Sequence, residues 1–148
     1  MPLNNIDTQK VLLDLYHHEI AARDIYKEVL SHVTDNKIFG EIKTFAGQHE
    51  DHIRNLAEVL EKISTKEIDE SKDMKGYLMS AYATLRSMTG QDGALKALHT
   101  AEEVILKRYQ EAANEDLEQD YKDLVNTHLK QEEEHSAYIN KVVEEMAV

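Results

Sequence analysis

Six residues carry the chemistry open to this chain: Glu19, His49, His52, Glu102, Glu132 and His135. Each falls within a run of apolar residues that recur at helical spacing, so each is expected to point inward. A carboxylate in an apolar interior is costly unless something neutralises it. A metal cation is the simplest compensation, because carboxylate oxygen and imidazole nitrogen are natural donors to one. Glu132 and His135 are three residues apart, on one face of a helix, and can reach a shared cluster.

Four amphipathic helices must position these groups. The spacing predicts helices over 7–33, 35–63, 91–114 and 116–146, with Asp7 and Thr8 as candidate caps of the first. The inward seams read Leu12, Leu15, Glu19, Ala22, Tyr26, Val29; then Ile42, Phe45, His49, His52, Leu56; then Leu95, Leu98, Glu102, Ile105, Tyr109; then Val125, His128, Glu132, His135, Ile139. Two short turns make two antiparallel hairpins. Between them a polar stretch and a short helix over 74–88 form a crossover spanning 64–90. The expectation is an all-α four-helix bundle with one long crossover, a single domain over 1–148.

The two halves repeat at an offset of 83. Leu12 matches Leu95, Glu19 matches Glu102, Tyr26 matches Tyr109, and His52 matches His135. Depth agrees with this register. Glu19 stands about 21 Å before the first turn, and His49 and His52 roughly 20–24 Å after it, at 1.5 Å per residue. Glu102 levels with Glu132 and His135 about the second turn. All six meet at mid-bundle.

With Glu132-x-x-His135 opposite a lone Glu102, the sequence resembles the ferritin-like superfamily, nearest to its rubrerythrin and bacterioferritin group, over nearly the whole chain. The segment from Lys75 through Tyr109 to His135 also resembles a stress-associated bacterial ferritin-like family of uncharacterised function. The resemblance implies a di-iron carboxylate centre: one Glu from each of two helices and Glu-x-x-His from each of the other two. Glu19, Glu102, Glu132, His135 and His52 fit that pattern, and His49 stands where it has Glu. The site becomes three carboxylates and three imidazoles. The implied cofactor is two metal ions, iron first, with Zn and Mn as alternatives. The implied activity is iron oxidation or peroxide reduction with O2 or peroxide as oxidant, using an external electron donor in the second case. A homodimer is a further expectation from look-alike proteins.

Other readings compete. A buried hydrogen-bonded polar cluster accounts for the same seam residues, as does a structural or regulatory zinc site without turnover. A metal-free helical interaction protein is the third. His128 is a further candidate ligand, although its repeat mate is Phe45. Tyr26 and Tyr109 are placed to hydrogen-bond ligands. Glu50 lies about 100° round the helix from His49, a poor substitute for a carboxylate there. Glu103, Glu133 and Glu134 read as solvated acids, and His17, His18, His32 and His99 as flank or surface residues.

Composition narrows the field. The chain has no Cys, which excludes disulfides, cysteine nucleophiles and four-cysteine iron sites. One Pro and five Gly leave long helices uninterrupted. The net charge of −12 disfavours nucleic acid and anionic membrane as partners. No apolar run approaches the roughly 20 residues that cross a bilayer, and the first residues lack a signal-peptide pattern. The expected location is the cytoplasm.

Overall fold

The computed structural model describes residues 1–64 and 74–146. Helices α1 (Asn5–Leu30) and α2 (Asn36–Ile63) form one hairpin, and α4 (Gly90–Ala113) and α5 (Gln119–Met146) the other. A 3-10 turn (Lys75–Leu78) leads into the short helix α3 (Met79–Ser87). The earlier part of the expected crossover, 65–73, lies outside the described residues. None of these helices is long and apolar enough to cross a membrane.

The helix ends follow local chemistry. Asn4, not Asp7, caps α1, its side chain accepting from the Asp7 N–H at 2.8 Å. Asn carries the same short acceptor as Asp, and three further residues can then join the helix. At the other end Ser31 Oγ donates to the Glu28 carbonyl and closes the helix at Leu30, short of Val33. Asp35 caps α2 by accepting from Ile38 N–H. The Gln91 side-chain oxygen accepts from the N–H groups of Thr34 and Asp35, at 2.7 and 2.8 Å, so the start of α4 is tied to the turn of the other hairpin.

α1 packs on α2, α4 on α5, and α1 directly on α4, while α2 and α5 approach each other far less. Buried Ala21, Ala22, Ala94, Ala97 and Ala101 lie on α1 and α4, and small side chains permit close axes. The wider gap between α2 and α5 holds their long polar side chains. The described part of the crossover lies on the other side, with the 3-10 turn against α1 and α3 against α4. Leu78, Ala81 and Tyr82 are buried there, while Tyr77 and Met79 remain exposed.

The start of α4 is tight. Gly90 has φ +73°, and a Cβ on Gly93 would stand 2.6 Å from the Met88 Cβ. Gly93→Ala should therefore destabilise by about 1–3 kcal/mol through overpacking. Gly40→Ala, exposed in the second turn of α2 with open space around it, should stabilise by about 0.5–1 kcal/mol. Urea unfolding midpoints of the two variants should move in opposite directions.

Candidate metal centre

The six seam residues meet in the buried centre of the bundle. Glu19 comes from α1, Glu102 from α4, His49 and His52 from α2, and Glu132 and His135 from α5, all at most 1% exposed. Their donor atoms form two groups, each contained within 4.8 Å: Glu19, His49, His52 and Glu132, and His49, Glu102, Glu132 and His135. His49 and Glu132 belong to both. They are also repeat mates, 83 residues apart.

His49 lies between carboxylates. Its Nδ1 is 2.5 Å from Glu19 Oε1, and its Nε2 is 2.8 Å from Glu102 Oε1. His52 Nδ1 lies 2.6 Å from Glu19 Oε2. Glu132 differs, because neither of its oxygens has a hydrogen bond, and Glu102 Oε2 and His135 Nδ1 are likewise buried without one. Glu132 Oε1 is 3.4 Å from His49 Nδ1 and 3.5 Å from His52 Nδ1, and its Oε2 is 3.6 Å from His135 Nδ1. Those gaps are too long for good hydrogen bonds. They match the spacing of two donors on one tetrahedral ion, about 3.4 Å for bonds of roughly 2.1 Å. Leaving buried acceptors unsatisfied costs about 1–3 kcal/mol each. The cluster is thus compatible with metal binding in donor type, spacing and unmet demand.

Charge is shared tightly among these groups. Burial pushes the Glu19 and Glu102 carboxyls up, but His49 and its neighbours overcome this and hold both well below the usual range. Glu132 goes the other way, raised by burial and by the Glu102 charge against the pull of His49. Burial alone would lower the imidazoles. The carboxylates outweigh it, raising His49 and His135 and bringing His52 to about 9. Protons in the cluster are thus drawn toward the imidazoles and away from Glu19 and Glu102.

An outer layer orients these groups, and its bonds cross between the halves. Tyr26 donates to Glu102 Oε1 at 2.6 Å, and Tyr109 donates to Glu19 Oε2 at 3.1 Å. His52 Nε2 donates to the Gln131 side-chain oxygen at 2.6 Å, and His135 Nε2 to that of Gln48 at 2.5 Å. Each pair fixes which ring nitrogen faces the centre. Gln48 and Gln131 do not stand on the apolar seams, yet they too are 83 residues apart, and the repeat is the signal that finds them.

His128 is buried but absent from both donor groups. It stacks on His52 at 3.9 Å between ring centres. With Tyr109 donating to Glu19, the Tyr109 oxygen accepts from His128 Nδ1 at 3.1 Å, and Nε2 accepts from the Asn55 amide at 3.3 Å. Burial, reinforced by nearby His52, lowers His128 to about 3, so it is neutral. In the other half Phe45 packs on His135, tilted by 31° at 4.3 Å between ring centres, and meets Tyr138 edge-on.

The remaining candidates fall outside the centre. Glu50, Glu103, Glu133 and Glu134 are exposed. His18 is not a surface residue: it is 2% exposed, and its Nδ1 bonds the Asp14 carbonyl one turn back. That bond satisfies the ring inside the bundle, at a position three residues after Leu15 and four before Ala22 on the buried side of α1. His17 bonds the Tyr77 hydroxyl, and His99 bonds Asn140.

Residues 7–115 match a family model described as a domain of unknown function (DUF2383). The matched span ends before α5, which carries Glu132 and His135. The fold is similar to that of the bacterioferritin-related protein from Bacteroides fragilis, described as a dodecameric thioferritin in the bacterial domain. The TM-score is 0.74 at 18% identity, covering 98% of this chain and 89% of that one. The bundle is thus ferritin-like. No curated protein matches the sequence.

Tyr26→Phe should cost the metal-free protein about 1.5–3 kcal/mol, the worth of a hydrogen bond to a buried charged group. The check is urea unfolding in the presence of a chelator. An unchanged midpoint would mean that this hydroxyl does not hold Glu102.

Proposed function

The chain belongs to the DUF2383 family, and we propose that it binds two metal ions, iron by preference, for iron handling or oxidant-linked redox chemistry of the ferroxidase or rubrerythrin kind. The observation that carries this reading is Glu132. It is a fully buried carboxylate with two unbonded oxygens, shared between two four-donor groups.

In this reading Glu19 and His52 serve one ion, Glu102 and His135 the other, and Glu132 and His49 stand between them. Bound Fe(II) would supply the electrons that reduce O2 or peroxide. The protein's own share is to hold and shield the site. Tyr26 and Tyr109 fix one oxygen of each outer carboxylate, and Gln48 and Gln131 fix two imidazoles. The surrounding apolar layers exclude bulk water. A groove of about 540 Å³, lined by Arg23, Lys27, Ala46 and Gly47, reaches Tyr26 from outside and offers the approach for a small oxidant. With no cysteine in the chain, peroxide reduction calls for electrons from a separate donor protein.

His49 supports a second reading. Three imidazoles beside three carboxylates give zinc a full set of favoured donors, and a zinc centre would be structural or regulatory, with no redox turnover.

Protein purified without chelator should contain close to two metal ions per chain by elemental analysis. The Glu102→Ala/Glu132→Ala double variant should contain none, and stoichiometric metal in it would overturn the ligand set. Fe(II) mixed with the metal-free protein and oxygen should oxidise faster than in buffer, followed by stopped-flow absorbance. Oxidation at the buffer rate, with zinc retained, would favour the second reading.

A further inference from the structure

We propose that His49 bridges the two ions, giving Nδ1 to one and Nε2 to the other. The inference rests on the two-ion reading above and concerns how the ions are joined.

The three imidazoles are used differently. His52 and His135 each turn Nε2 outward to a glutamine oxygen, leaving only Nδ1 for the centre. His49 has no such outer partner. Its Nδ1 faces Glu19 and Glu132 Oε1, and its Nε2 faces Glu102. The ring is fully buried, with Tyr26 packed at 4.7 Å on one side and His135 at 5.0 Å. It thus spans the two donor groups, as its repeat mate Glu132 does with Oε1 and Oε2. The site has two two-ended groups, one imidazole and one carboxylate, set across the pseudo-twofold relation between the halves.

Charge points the same way. Two divalent cations bring +4, and Glu19, Glu102 and Glu132 supply −3. An imidazole bonded through both nitrogens has passed both ring protons to solvent and carries −1, which closes the balance. A dry interior penalises net charge heavily. Ions on opposite edges of a five-membered ring are also held farther apart than the roughly 3.5–4 Å usual in two-metal sites.

The test is anomalous diffraction from crystals of the full chain loaded with Zn2+, alongside zinc stoichiometry in solution. Two peaks clearly more than 4 Å apart, one beside each nitrogen of His49, are expected. In His49→Glu two ions should remain, but at shorter separation, because a carboxylate joins ions more closely than an imidazole. In His49→Ala the content should fall from two ions toward one. Two ions at 4 Å or less in the wild type, or the same spacing in wild type and His49→Glu, would overturn the bridge. One ion, with His49 still bonded to Glu19 and Glu102, would overturn the bridge and the ion count while leaving metal binding intact. No bound zinc, and no iron or manganese in the purified protein, would overturn the metal reading itself. Should His49→Ala fail to fold, the wild-type separation decides alone.

Discussion

Three carboxylates in the middle of an apolar bundle must be neutralised in place. Each unpaired buried ion would cost several kcal/mol, a large share of the stability of any single domain. The polar part of the structure answers this demand at short range. Glu19 touches two imidazoles, Glu102 one imidazole and one phenol, and the raised affinity of His49, His52 and His135 for protons is the same attraction seen from the cations' side. Protons suffice for Glu19 and for one oxygen of Glu102. They leave Glu132 without a hydrogen bond, and its three nearest imidazole nitrogens stand back at 3.4–3.6 Å. That unmet demand at the midpoint separates this cluster from an ordinary buried ion-pair network.

The bundle meets the demand by interlocking its halves. Neither hairpin completes its own site. Tyr26 of the first reaches Glu102 of the second, and Tyr109 reaches back to Glu19. Gln48 and Gln131 exchange partners in the same manner. Docking the hairpins therefore means pairing charges as well as burying Leu12, Leu15, Leu95 and Leu98. Where a site forms only in the folded chain, ligand binding free energy adds to folding free energy. Stability and metal content are linked quantities for such an arrangement.

Much of this was legible in the sequence because helical periodicity decides which side chains face the core. Glu19, His49, His52, Glu102, Glu132 and His135 all lie on apolar seams, and all are buried together at one level. What periodicity does not encode is reach. Gln48 and Gln131 sit beside the seams, and only their length and the opposite hairpin bring them to His135 and His52. His18 departs from the expected surface position for a related reason: a local bond to the Asp14 carbonyl lets a polar ring lie inside without a distant partner. The cap at Asn4 shows the usual ambiguity of helix ends, where several short polar residues compete. Turn and cap chemistry is local, whereas the cross-half contacts are products of the assembled topology.

The repeat also shows where the halves part company. Donors and tyrosines correspond one for one at the offset of 83, with His49 against Glu132 as the single change among the six donors. The next layer does not correspond. Asn55 and His128 form a hydrogen-bonded chain through Tyr109 to Glu19, from the half-buried edge of α2 to the centre. Their mates Tyr138 and Phe45 make an aromatic pair against His135 instead. One carboxylate is therefore oriented through a chain of polar side chains that ends near solvent, and the other by Tyr26 directly, beside the groove lined by Arg23 and Lys27. Since hydrogen bonds to a carboxylate and the polarity around it set its charge density, two nearly identical donor sets acquire different electrostatics. The inequivalence of the halves comes from the residues behind the centre as much as from His49 within it.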